Sequence, residues 1–124
     1  MSEEIKRSEW GPFFKEFNGR NQARPTRLEV MDGKAGERAD SRLSVETDYW
    51  VEDGLPLAGV SLEPEGEDAP RIEIMLGGEA ARPTGHMTHT VTGARRVCRT
   101  LDEGGRDCGL EVEDKEGAVT ILHF

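Results

Sequence analysis

The sequence predicts an α+β domain, mainly an antiparallel β-sheet or a small barrel of roughly six to eight short strands, with one N-terminal amphipathic helix packed on it. Three observations carry this reading. Trp10, Phe13, Phe14 and Phe17 fall at i, i+3, i+4 and i+7, the spacing that gathers side chains on one helical face. Beyond Thr26 the apolar period changes to two, the period of a strand with one buried face. Turn residues then recur roughly every 8–12 positions, as in an all-antiparallel arrangement.

Residues 1–7 are polar and are expected to be flexible, leaving residues 8–124 as a single globular domain. Ser8 offers a helix N-cap, Glu9 suits the positive end of the helix dipole, and Pro12 lies in the tolerated first turn. Asn18-Gly19 supplies a left-handed stop. Four of the seven aromatic residues sit on this single helix stripe, which reads as the lid of the core, with a helix that docks onto a partner as the alternative.

Leu28 and Val30 alternate around Glu29 in a first strand. A Gly/Asp-rich loop at about 32–41 precedes a longer run in which Leu43, Val45, Thr47, Tyr49 and Val51 share one face. Asp53-Gly54 reads as a turn, and Leu55–Leu62 as a strand with an edge or bulge position at Pro56. An acidic surface loop runs from Glu63 to Pro70. Ile72, Ile74 and Leu76 alternate again before Gly77-Gly78, and residues 79–85 read as loop. Met87–Val91, Val97–Leu101, a strand through Leu110 and Val112, and Val119–Phe124 complete the set.

The chain resembles a family of uncharacterised bacterial proteins of about this length, a domain of unknown function. The likeness is carried by Trp10-x-x-Phe13-Phe14-x-x-Phe17 and by Leu55-Pro56-Leu57-x-Gly59-Val60-x-x-x-Pro64. Ile72-Glu73-Ile74, His86-Met87-x-His89 and the apolar tail continue it. It spans most of the chain apart from 32–41 and 80–85. The resemblance implies a unit of this size and brings no activity, substrate or cofactor with it.

A net charge of −9 argues against nonspecific binding to nucleic acid or to anionic membrane surfaces. No apolar run is long enough to span a bilayer, and the start lacks the apolar stretch of a signal peptide, so a cytoplasmic location is expected. In that setting Cys98 and Cys108 are expected to be reduced, structural thiols. Cys98 stands beside Arg96 and Arg99, a setting that can lower a thiol pKa, but no base is positioned to make it a nucleophile.

Charge is unevenly distributed. From Glu46 to Glu79 there are ten acidic residues against one basic residue, Arg71. From Ala80 to Leu101 there is no acid, while Arg82, Arg95, Arg96 and Arg99 are basic and His86 and His89 lie among them. Guanidinium groups match carboxylate and phosphate in a planar two-point geometry. The candidate binding residues are therefore His86, His89, Arg95, Arg96 and Arg99, facing an acidic protein or a small anion. The competing reading is that these arginines neutralise the acidic strands through surface ion pairs.

His86 and His89 also raise a small hydrolase or metal-dependent enzyme as an alternative. On a regular strand, however, their odd offset sends them to opposite faces unless a bulge intervenes. No dinucleotide, phosphate-loop or nucleophile-elbow motif is present, so no cofactor, catalytic residue or metal ligand is assigned. The favoured expectation is a small non-catalytic binding module acting through the basic 82–99 region. A homodimer formed through an unprotected strand edge or through the helix is a third reading.

Overall fold

The computed structural model describes residues 2–31, 48–77 and 86–124, with the backbone alone over 48–53. One helix, α1 (Trp10–Asn21), follows a short strand β1 (Ser2–Ile5) and a 3-10 turn (Arg7–Glu9). Strands β2 (Pro25–Met31), β3 (Asp48–Glu63), β4 (Arg71–Gly77) and β5 (His86–Val91) come next. Strands β6 (Ala94–Leu101), β7 (Asp107–Asp114) and β8 (Val119–His123) complete the chain. All pairings are antiparallel, in the order β1-β6-β7-β8-β2-β3-β4-β5. The expected α+β architecture is present, and the sheet is open rather than closed into a barrel, with β1 and β5 at its edges.

The sheet is strongly curled. His89 on β5 lies 3.2 Å from Thr120 on β8, although β2, β3 and β4 separate the two strands in the ladder. Curling produces a concave face, and α1 fills it. Trp10, Phe13, Phe14 and Phe17 are all buried, in one cluster with Leu28, Leu57, Val60, Ile72, Ile74, Leu76, Val97, Leu110, Val112 and Leu122. Opposed residues in the ladder share a face, so pairs such as Val60↔Ile74 and Val97↔Val112 enter this core together.

The N-terminus departs from the expected flexible 1–7 segment. Ser2–Ile5 pairs with β6, Ser2 opposite Thr100 and Ile5 opposite Val97. Ladder hydrogen bonds come from the backbone and ask nothing of the side chains, so a polar sequence conceals this edge strand. Only Ile5 is buried, and its carbonyl accepts the Trp10 indole N–H at 2.9 Å.

The helix also starts and ends later than its capping residues imply. Glu9, not Ser8, is the N-cap, without a side-chain cap bond. At the other end α1 passes through Gly19 to Asn21, and Ala23 takes the left-handed conformation with φ 73°. Tertiary bonds from the last turn explain the extension. Asn18 is clamped to Val60, and buried Asn21 donates to Phe17 O at 3.0 Å and to Asp107.

Asp53-Gly54 is a kink rather than a chain-reversing turn. Strand β3 continues through it for 16 residues, with Gly54 at φ 107° and a register shift against β2 beside it. Its first half pairs with β2 and its second half with β4, so the kink is where the sheet bends. The loop at 32–41, the facing of residues 43–51, the segment 79–85 and Arg82 lie outside the described backbone and side chains. Among the described residues no helix is long and apolar enough to cross a membrane.

Candidate functional site

A cleft of about 320 Å³ opens where the C-terminal end of α1 meets the β6–β7 hairpin. It is lined by Arg20 and Asn21 from the helix, Arg24 from the loop after it, Arg99 from β6, and Gly105, Arg106 and Asp107 from the hairpin. Each is there for a local reason. Arg20 is the basic residue of the last helical turn, where a cation complements the negative end of the dipole. Arg99 is opposed to buried Leu110 in the β6–β7 ladder, so it projects from the concave face just beyond the apolar core. A register shift between Thr100 and Leu101 then brings Leu101 opposite Asp107 and turns that carboxylate inward as well.

Asp107 is the centre of the arrangement. Its side chain is 3% exposed, against 45% for Arg20. Its Oδ2 accepts Arg20 Nε at 2.8 Å and Asn21 Nδ2 at 2.9 Å. Burial pushes the Asp107 carboxyl upward, but the hydrogen bonds from Arg20 and Asn21 and the charges of Arg20 and Arg99 outweigh it, leaving a net shift downward. Its backbone carbonyl accepts Arg24 Nη1 at 2.8 Å. The same nitrogen donates to Asn21 Oδ1 at 2.9 Å, and the Arg24 guanidinium lies 4.4 Å over the Phe124 ring. Arg24 is therefore a fixed wall.

Two buried atoms in this network have no partner. Arg99 Nε and Asp107 Oδ1 are enclosed, and among the described residues neither makes a hydrogen bond. Buried polar atoms are normally satisfied, and each one left unpaired costs about 1–3 kcal/mol. Four guanidinium groups stand against one carboxylate, giving the lining a net charge of +3 in a chain of net charge −9.

Of the candidate residues named from sequence, Arg99 alone lines this cleft. Arg95 pairs with Glu113 at 3.2 Å and Arg96 with Glu4 at 3.1 Å, both with arginine side chains more than half exposed. His86 is exposed, whereas His89 is partly buried and faces Thr120, so the two point to opposite sides of β5 with no bulge between them. His123 lies 2.9 Å from Glu29, one position along β8 from inward-facing Leu122. Among the described residues no three His, Cys, Asp or Glu side chains are grouped to hold a metal. Cys98 is buried; burial pushes its thiol up, and the nearby Arg96 guanidinium does not reverse this.

Sequence alone does not single out Arg20, Arg24, Arg106 and Asp107, because the chain segments that carry them are far apart. The available signal is faint: Arg20, Arg24 and Arg27 form a basic run across the end of the helix, and Arg106-Asp107 follows a Gly-Gly turn directly. No protein-family model, curated protein or solved structure matches the chain.

Proposed function

We propose that this protein is a small non-catalytic binding module that holds a small anion in the cleft walled by Arg20, Arg24, Arg99 and Arg106. The observation that carries this reading is a cleft lined by four arginines around one buried carboxylate, with Arg99 Nε left without an acceptor among the described residues. An anion supplies that acceptor and neutralises charge that Asp107 alone does not balance.

The C-terminal end of α1 works against an anion, since it carries about half a negative charge. That is small beside a lining charge of +3. A purely structural role accounts well for Arg24, whose hydrogen bonds and ring contact hold it in place. It accounts for Arg20 in part and leaves Arg99 and Arg106 unexplained. The basic 82–99 region thus contributes Arg99, and the rest of the site comes from the helix end and the hairpin.

The test is a two-dimensional amide NMR titration of the full chain with small carboxylates, sulfate and phosphate. Saturable shifts clustered at Arg20–Arg24, Arg99 and Gly105–Asp107 are expected, weakening with added salt. The double substitution Arg99→Ala/Arg106→Ala should abolish them with the fold retained. Shifts scattered over the surface, or unaltered in the double variant, overturn the reading.

A further inference from the structure

We infer that the anion taken by this cleft carries its own hydrogen-bond donor, as a carboxylate does when a hydroxyl or ammonium group sits on the neighbouring carbon. The inference rests on the anion-binding reading above and goes one step into its chemistry. Arg99 Nε can only donate and Asp107 Oδ1, as an ionised oxygen, can only accept; both are buried without a partner, and both side chains line the same cleft. A ligand that satisfies both must therefore accept at one atom and donate at another close by.

Simple anions fail this requirement. Sulfate, or a dicarboxylate without substituents, gives Arg99 an acceptor but sets its remaining oxygens against the Asp107 carboxylate. A phosphate monoester does the same at neutral pH, because its second proton leaves near pH ~6. A hydroxy or amino acid keeps its donor there. Its carboxylate meets Arg99 and Arg106 while its O–H or N–H turns to Asp107 Oδ1. Because Arg20 and Asn21 already occupy Oδ2, the ligand's donor has a single place to go. A lining charge of +3 suits a dianion better than a monoanion, and about 320 Å³ is room for a four-carbon acid. Both unpartnered atoms are closed to bulk solvent, so the ligand reaches them only with a shift of the side chains that line the cleft.

The probes are L-malate, L-aspartate and succinate, which share a four-carbon dicarboxylate frame and differ in the donor. Binding to the full chain is measured by calorimetry or NMR, for wild type and for Asp107→Asn. That substitution retains an oxygen for Arg20 and Asn21 and replaces Oδ1 with an NH₂ donor. Malate or aspartate should bind at least about tenfold more tightly than succinate to wild type, and the ratio should fall to within about twofold in Asp107→Asn. Equal affinity of wild type for all three overturns the donor requirement while leaving the anion reading intact. No binding of any of the three removes both. If Asp107→Asn does not fold, the ratio measured on wild type decides alone.

Discussion

The side-chain amide of Asn18 pairs with both backbone groups of Val60, donating to its carbonyl at 2.9 Å and accepting its N–H at 2.8 Å. It stands in for a neighbouring strand and fixes α1 against the second half of β3. A Cβ at Gly59 beside it would lie 3.6 Å from the Asn18 amide nitrogen, an ordinary contact, so the clamp does not require a glycine there. Asn18→Ala leaves both groups of Val60 without this partner and should cost about 1–3 kcal/mol in urea unfolding. Asn18→Asp should cost at least as much, because a carboxylate would face the Val60 carbonyl. Equal stability of wild type and both variants would show that the helix is held by its aromatic face alone.

That aromatic face supplies the second prediction. Phe14 is 2% exposed and contacts Phe13, with ring centroids 5.7 Å apart. Phe14→Ala opens a cavity at the centre of the helix–sheet interface and should lower stability by roughly 3–5 kcal/mol. A loss below about 1 kcal/mol would mean that the sheet collapses onto the space or that the stripe contributes little.

The aromatic stripe and the period-two strands were legible because burial of one face leaves a local periodic signature. Ile72, Ile74 and Leu76 alternate in sequence and all three are buried. What was not legible involved partners distant in sequence. The strand at Ser2–Ile5 depends on an edge that β6 provides, and the extension of α1 to Asn21 depends on Asp107. Gly54 reads as a turn and bends a continuous strand instead, because positive φ serves both purposes. At the cleft, charge runs directed attention to Arg95, Arg96 and Arg99. Ladder alternation separates Arg96 from Arg99, and a bulge turns Asp107 toward the latter.

Asp107 should leave a mark on acid stability. The folded chain holds its carboxyl below the ordinary value, so at acid pH the unfolded chain binds the extra proton. Its contribution is complete above the unfolded pKa of about 3.9 and is lost as pH falls through the lower folded value. The stability difference between wild type and Asp107→Asn should therefore shrink as pH drops below about 4. Arg20→Ala removes one of two donors to Oδ2. Because that guanidinium is 45% exposed, the cost should be nearer ~1–2 kcal/mol than the larger losses of fully buried pairs. A difference that stays constant to pH 2 would contradict the depressed carboxyl.

Thiol chemistry gives a separate check. Cys98 is 6% exposed, and burial pushes its thiol up despite the Arg96 guanidinium nearby. Reaction of the native chain with a disulfide reagent at neutral pH should leave Cys98 slow, limited by opening of the sheet. Cys98→Ser should then remove only the slow phase. Rapid labelling of Cys98 in the folded chain would show instead that Arg96 activates it.

His89 predicts the opposite end of the stability profile. It projects from β5 beside buried Ile74 in the ladder and meets Thr120 Oγ1 at 3.2 Å, inside the curl of the sheet. Burial lowers its pKa, so between the folded value and the unfolded value near ~6.5 the unfolded chain carries the proton and the folded chain does not. Stability is then complete above about pH 6.5 and falls as pH drops below it, with a slope of at most about 1.4 kcal/mol per pH unit. The loss levels off once the folded histidine is also protonated. His89→Gln keeps a hydrogen-bonding group near Thr120 without the titration. It should flatten this component of the profile between about pH 5 and 7, measured by urea unfolding at closely spaced pH values. If His89→Gln follows the wild-type curve, protonation of His89 is not coupled to folding.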